Sequence, residues 1–336
     1  MAELQSFVAL IDEVRPDVVY VNTLVSLAGV VAARRRRLPC VWHIRELFDD
    51  VGGEMHIPAC GGRPLVRRLL KKLATRRVAI SRSVAENILE STDPSVVEIV
   101  PNAVGQNFFE VAETSSECRA RFGLPPGVPL IGVPGTLRPM KGHPFFFEAA
   151  ALIAQARPDC VFAITGTGEA IYETQLRRQT EQLGLADRVR FLGNITVMPQ
   201  FYRACDVVCV PSVAEPFGRT VIEAFAVGTP VVATAVGGIR ETIEDRKTGL
   251  LAAYGDVPAL CGALLRILSD QEFARVLANA ARQTAREQYT AERYQASLRA
   301  IAASVAADSG KTSHRANERT GRQAGVASVL SREARA

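Results

Sequence analysis

Short apolar runs alternate along the chain with segments whose apolar residues recur at helical spacing, the pattern of a parallel sheet covered by helices. The first part predicts a helix over 3–14, a strand over Asp17–Val21, a helix over Ser26–Arg35 and a strand over Pro39–His43. Beyond a glycine-containing loop come a helix over 64–75, a strand over Val78–Ile80, a helix over 83–91 and a strand over Val96–Val100. Residues 113–128 carry Ser115-Ser116 and Pro125-Pro126-Gly127 and read as a linker. The second part predicts strands over Leu130–Val133, Cys160–Thr165, Val189–Leu192, Asp206–Val210, Val231–Thr234 and Leu250–Ala252. Helices follow most of them, and three more lie near 256–268, 271–287 and 291–305. Six such strands make a complete Rossmann-like unit. The reading is an α/β protein with a first domain over 1–112 and a second over 129–305. A polar, mildly basic tail over 306–336 has no apolar period and is expected to be disordered.

Composition agrees with this organisation. A chain of 336 residues has room for two domains of ~150 residues each. Its 48% apolar and 22% charged content fits a folded protein, not a disordered chain or a collagen-like repeat. The seven cysteines are odd in number and scattered, mostly in apolar surroundings, and read as small buried hydrophobes. Cys205 and Cys209 have the spacing of half a metal site, but no histidine is near them in sequence, so no metal site is expected. No apolar run approaches the ~18 residues that span a bilayer, and the first residues lack the form of a signal peptide. The expected location is the cytoplasm.

A net charge of +5 is too mild to point to nucleic acid. Its distribution says more. Arg63, Arg67, Arg68, Lys71, Lys72, Arg76 and Arg77 fall between 63 and 77 with no acid among them. With Leu65, Leu69, Leu70 and Leu73 they form a basic amphipathic helix. Such a helix suits the anionic inner face of a membrane, and it equally suits a solvated surface.

The stretch most suggestive of chemistry runs from Pro211 to Pro230. A predicted strand ends at Val210, a tight loop carries Glu215-Pro216-Phe217-Gly218, and a helix begins. Gly218 lets the backbone approach a ligand, and the first helical amides, at Arg219 and Thr220, offer a phosphate site. Glu223 stands one turn into the helix, toward the strand ends where α/β sheets bind ligands. Two carboxylates eight residues apart can grip the hydroxyls of a polyol on either side of a bound phosphate. A plainer reading also fits, with Glu215 capping the helix and Glu223 solvated on its surface.

This stretch resembles the Glu-x7-Glu signature of the family 4 retaining glycosyltransferases, which have the GT-B fold. Other motifs stand in that family's order. They are Gly135-Thr-Leu-Arg-Pro-Met-Lys-Gly142, Thr165-Gly-Thr-Gly168, Phe191-Leu-Gly193, Ala204-Cys-Asp-Val207 running into Pro211-Ser212, Val236-Gly-Gly-Ile-Arg-Glu241 and Thr248-Gly249-Leu250. The resemblance is strong over 97–290 and looser over 16–110. It implies two facing Rossmann-like domains with parallel sheets, the first on the acceptor side. It also implies transfer of a sugar from a nucleotide diphosphate-sugar to a hydroxyl of a glycan or lipid-linked acceptor, with retention at the anomeric carbon. Glu223 would hold the ribose hydroxyls, Glu215 would contact the donor sugar, and Lys141 would neutralise the departing diphosphate. Phe217, Gly218, Arg219 and Thr220, through their backbone, would complete the donor site with Gly166, Gly168 and Asn194. His43, in Val41-Trp-His-Ile-Arg-Glu46, would face Glu215 across a cleft, with Arg45 and Glu46 lining the acceptor side.

The chain departs from the family pattern in places. Many relatives have Gly-Arg-Leu where this chain has Gly135-Thr136-Leu137, which makes Arg138 the candidate to replace a phosphate-binding arginine. The family's first domain opens with a strand and a glycine-rich loop, whereas this chain begins at a helix. The first domain is therefore expected to be incomplete and transfer to be poor. No Asp-x-Asp occurs, so the diphosphate is expected to need no metal and the protein no cofactor. A non-catalytic or weakly active nucleotide-sugar binding protein and a GT-B nucleotide-sugar epimerase are the alternatives. A dinucleotide dehydrogenase fits less well, because Gly166-Thr-Gly168 lacks a third glycine and a well-placed acid.

Overall fold

The alternation of strand and helix signals is realised as two parallel sheets in a computed structural model that describes residues 2–48 and 61–310. These residues fall into two compact units, one with 2–48, 61–101 and 294–310, the other with 102–293. The first unit opens with α1 (Ala2–Val14), β1 (Val19–Val21), α2 (Leu27–Arg35) and β2 (Cys40–Ile44). It continues with α3 (Gly62–Leu73), β3 (Arg76–Ala79), α4 (Arg82–Leu89) and β4 (Glu98–Ile99). The sheet order is β1-β2-β3-β4, all parallel. β2 is buried along its whole length, as a strand of a covered parallel sheet must be.

The second unit holds α5 (Ser115–Arg121), β5 (Leu130–Val133), α6 (His143–Ala156), β6 (Val161–Ile164), α7 (Ala170–Gln182) and β7 (Val189–Phe191). Next come α8 (Met198–Ala204), β8 (Val207–Val210), α9 (Arg219–Val227), β9 (Val231–Thr234), α10 (Ile239–Thr242) and β10 (Leu250–Ala252), closed by α11 (Val257–Ser269) and α12 (Gln271–Gln288). The strand order is β10-β9-β8-β5-β6-β7. From β5 the chain winds outward through β6 and β7, then returns to lay β8 on the other side. The order thus reverses between β5 and β8, and a crevice opens at their carboxyl ends. Phe146, Phe147, Phe162, Ile131 and Leu264 fill the core on one face.

Three expectations are corrected. Residues 113–128 are not a bare linker. Ser115-Ser116 occupy the first turn of α5, and Thr114 caps it in a reciprocal box with Glu117. Arg119 of α5 is buried and pairs with Asp206 at 2.8 Å, while its other nitrogens donate to the carbonyls of Ala204 and Val128. The last helix, α13 (Ala291–Gly310), runs past the predicted end at 305, so the first residues of the expected tail are helical. From Tyr294 onward it belongs to the first unit, toward which the last helix is expected to return, so the second unit stops at 293 and not at 305. Ile301 and Val305 pack on Val41, Val78 and Val100 of the first unit's sheet. The remainder of the tail, 311–336, lies outside the described residues, as do the loop 49–60 and Cys60. The other six cysteines are buried thiols.

Candidate active site

The crevice between β5 and β8 is shaped by backbone packing. Gly142 has φ 68°, and a Cβ there would stand 2.0 Å from the Pro211 carbonyl oxygen. Only glycine lets the loop leaving β5 lie against the loop leaving β8. The Val213 amide donates to the Met140 carbonyl at 2.8 Å and ties the two loops together. Lys141, held beside Gly142, thereby meets the carboxylate that follows β8: its Nζ is 2.7 Å from Glu215 Oε2. Ser212 Oγ donates to the same oxygen at 3.4 Å, and the Gly218 amide donates to Glu215 Oε1 at 3.3 Å. Glu215 is 7% exposed, and its own carbonyl accepts from the Gly238 amide at 2.9 Å. This carboxylate is fixed at main chain and side chain alike.

Glu223, on α9, is 6% exposed. Its Oε2 accepts from the Tyr202 hydroxyl at 2.8 Å and its Oε1 from Arg219 Nε at 2.7 Å. The plainer reading of the two acids is therefore half right: Glu215 does bond the amide at the start of α9, but Glu223 is not a solvated helix residue. Tyr202 was missed. It lies in an apolar stretch just ahead of Ala204-Cys-Asp-Val207 and reads from sequence as core alone.

The remaining donor-site candidates lie in the same unit. Gly218 caps α9, and the first amides of that helix, at Arg219 and Thr220, have no partner within it. Phe217 turns its ring inward against Tyr289, centroids 5.9 Å apart, which leaves only its backbone for a ligand. Arg138 is exposed on the loop that carries Lys141. Gly166 and Gly168 serve first as packing points. A Cβ on either would come within 2.1 Å of the carbonyl of Gly135 or Leu137, so the loops after β5 and β6 touch through backbone. The Gly166 amide donates to the Gly193 carbonyl at 2.7 Å, which brings the exposed Asn194 to the same end of the sheet.

His43 belongs to the first unit and is fully buried within β2. Its Nδ1 pairs with the Tyr20 hydroxyl, and its ring lies 6.5 Å from that of Tyr294 on α13. Burial, with Arg45 adding to it, pushes its pKa down to about 3, so the ring is neutral. Glu46 is held by the backbone around it. Its carboxylate accepts from the Thr23 hydroxyl and from the Leu24 and Arg45 amides at 3.0 Å each, clamping the loops after β1 and β2 together. The basic segment is divided by its partners. Arg67 turns inward to the carbonyls of Asn87 and Ile88 and pairs with Glu90 at 2.9 Å, while Arg76 pairs with Glu98. Arg68, Lys71 and Lys72 stay exposed along α3 with Leu65. Among the described residues, no three His, Cys, Asp or Glu side chains stand together as a metal site.

Chemically, the crevice offers one ammonium, two buried carboxylates and a helix N-terminus, a set that suits an anion joined to a polyol. Residues 115–284 match the glycosyl transferases group 1 family and residues 1–103 a glycosyl transferase 4-like domain. The lipopolysaccharide core biosynthesis mannosyltransferase LpsB of Rhizobium meliloti is 31% identical over 253 residues, 69% of this chain and 70% of that protein. A D-inositol 3-phosphate glycosyltransferase of Salinispora tropica is 34% identical over 229 residues, which span 63% of this chain but 48% of that protein. Among solved structures, Anabaena Alr3699/HepE in complex with UDP-glucose aligns with a TM-score of 0.76 at 25% identity, over 92% of this chain and 81% of that one.

Two outcomes follow from these surroundings. His43 and His143 are both fully buried, and burial first, then Arg45 or Lys141, lowers them to about 3 and about 4. The unfolded chain takes up these protons near 6.5, so between those values it binds more protons than the folded one, and stability falls as pH drops. Urea midpoints should decline from about pH 7 to about pH 5, and His43→Gln should flatten the decline; a constant midpoint contradicts the burial. Separately, Lys141→Met strands the Glu215 carboxylate and should cost roughly 2 kcal/mol in denaturant unfolding. Adding Glu215→Gln should recover most of it.

Proposed function

Because the chain belongs to the glycosyl transferases group 1 family and has the GT-B fold, we propose that its crevice binds a nucleoside diphosphate-sugar and passes the sugar, with retention, to an acceptor hydroxyl. The observation that carries this reading is the meeting of Lys141, Glu215 and the start of α9 at the carboxyl ends of β5 and β8. The diphosphate takes the place between the Lys141 ammonium and the amides of Arg219 and Thr220, where developing negative charge on the leaving group is stabilised. Glu223 accepts hydrogen bonds from the ribose hydroxyls. Glu215, released from Lys141 as the diphosphate arrives, stays bonded to the Gly218 amide through Oε1 and offers Oε2 to the donor sugar. Lysine and helix amides supply the charge neutralisation, and the reaction needs no metal. The UDP-glucose held by the Anabaena neighbour supports a donor of this class.

The acceptor in this reading is a glycan or a lipid-linked molecule met at a membrane surface in the cytoplasm. Among the described residues no helix is long and apolar enough to cross a membrane. Attachment falls to α3, whose exposed side carries Leu65, Arg68, Lys71 and Lys72 at helical spacing, an apolar tip beside three cations that complement anionic headgroups.

Calorimetry with UDP tests the donor site. Glu223→Gln should weaken UDP about tenfold, because an amide grips a diol less strongly than a carboxylate. Glu215→Gln should lower turnover more than affinity. Transfer should survive chelation, and the product should keep the donor's anomeric configuration by NMR. UDP affinity unchanged in both variants overturns the assignment, and an inverted product overturns retention. Flotation with phosphatidylglycerol vesicles tests the surface: binding should fade with salt and vanish when Arg68, Lys71 and Lys72 are all changed to Ser.

A further inference from the structure

Glu223 stands between two unequal partners. Arg219 approaches Oε1 from one turn earlier on α9 with 71% of its side chain exposed, and a pair of this kind exchanges readily with solvent or a ligand. Tyr202 approaches Oε2 from within α8 and is completely buried, where water cannot replace its hydroxyl. Tyr202 is itself fixed. Its carbonyl accepts from Thr229 Oγ1 at 2.8 Å, and its ring packs against Phe201 and Phe108 with centroids 5.9 and 6.2 Å away. Burial first, then the facing Glu223 carboxylate, pushes its pKa well above the usual tyrosine range, so the hydroxyl keeps its proton and remains a donor.

We propose that Tyr202 is a positioning residue for the nucleotide: it locks Glu223 through Oε2 so that Oε1 faces the ribose diol, which takes the place of Arg219. The proposal rests on the reading of Glu223 as the ribose ligand. It explains why a tyrosine, with a hydroxyl to satisfy, occupies a fully buried site. A carboxylate at 6% exposure needs a donor on its inner oxygen, or it is left charged and half-satisfied. With that donor in place, one oxygen is committed to the protein and the other is presented in a single orientation.

The test is a double-mutant cycle read by UDP calorimetry on the full chain. Tyr202→Phe should weaken UDP about tenfold, the loss of one hydrogen bond to a charged group, and raise donor KM with kcat little changed. In the Glu223→Gln background the same change should cost less than about twofold, because the carboxylate it steadies is gone. An equal factor in both backgrounds marks Tyr202 as mere packing and overturns the proposal. Tyr172→Phe is the control, since the Tyr172 hydroxyl is buried without a hydrogen-bond partner and so steadies no carboxylate; its UDP affinity should match the parent. Thr229→Val, which frees the Tyr202 carbonyl and spares its ring, should weaken UDP in the same direction and serves if Tyr202→Phe does not fold. If Tyr202→Phe binds UDP like the parent while Glu223→Gln does not, the proposal falls and the reading of Glu223 stands. If Glu223→Gln also binds like the parent, that reading falls with it.

Discussion

The site depends on one close contact, the passage of Gly142 against the Pro211 carbonyl. No side chain fits where a Cβ would be 2.0 Å from an oxygen, so the loops leaving β5 and β8 can touch only through glycine. Everything polar in the crevice inherits its position from that contact. Lys141 precedes Gly142 by one residue, Ser212 follows Pro211 by one, and Glu215 comes three later. The sheet order makes the contact possible, since β5 and β8 are neighbours only because the winding direction reverses between them.

Held this close, the charges govern one another. A carboxylate as buried as Glu215 is costly to leave alone, and the ammonium, a hydroxyl and a backbone amide share it. Glu223 meets the same constraint differently, with a fixed buried donor on one oxygen and a loose exposed cation on the other. Each acid therefore has at least one uncharged partner supplied by the fold and one cation paired with it. A site so arranged is stable when empty and still exchangeable, which is what binding to preorganised groups requires.

The first unit is organised by its covering helix. The sheet β1–β4 presents Val41, Val78 and Val100 on one face, and α13 supplies the apolar residues that cover it. His43 lies on this face, bonded to Tyr20 and beside Tyr294, and its neutrality follows from that cover. Glu46 likewise spends its carboxylate on the backbone of two loops. Both sit near the strand ends where a sequence motif draws attention to them, and in both the nearest partners belong to the fold.

Much of this was legible in the chain itself. The periodicity located each described strand, most closely β5, β6, β8 and β9, because a buried parallel strand of this kind is a continuous run without charge. Glycine at 142 and 218, acids at 215 and 223 and lysine at 141 also stood out by their order along the chain, and Lys141, Glu215 and Gly218 do meet. Short elements were less visible: α5 hid behind two serines that sequence rules assign to a loop. Partners separated by many residues were not legible at all. That Lys141 pairs with Glu215, that Tyr202 backs Glu223 and that Arg67 turns inward to Glu90 were decided by tertiary packing. Residue order fixes which groups are available; only the reversal of the sheet and the contacts between its loops decide which of them meet.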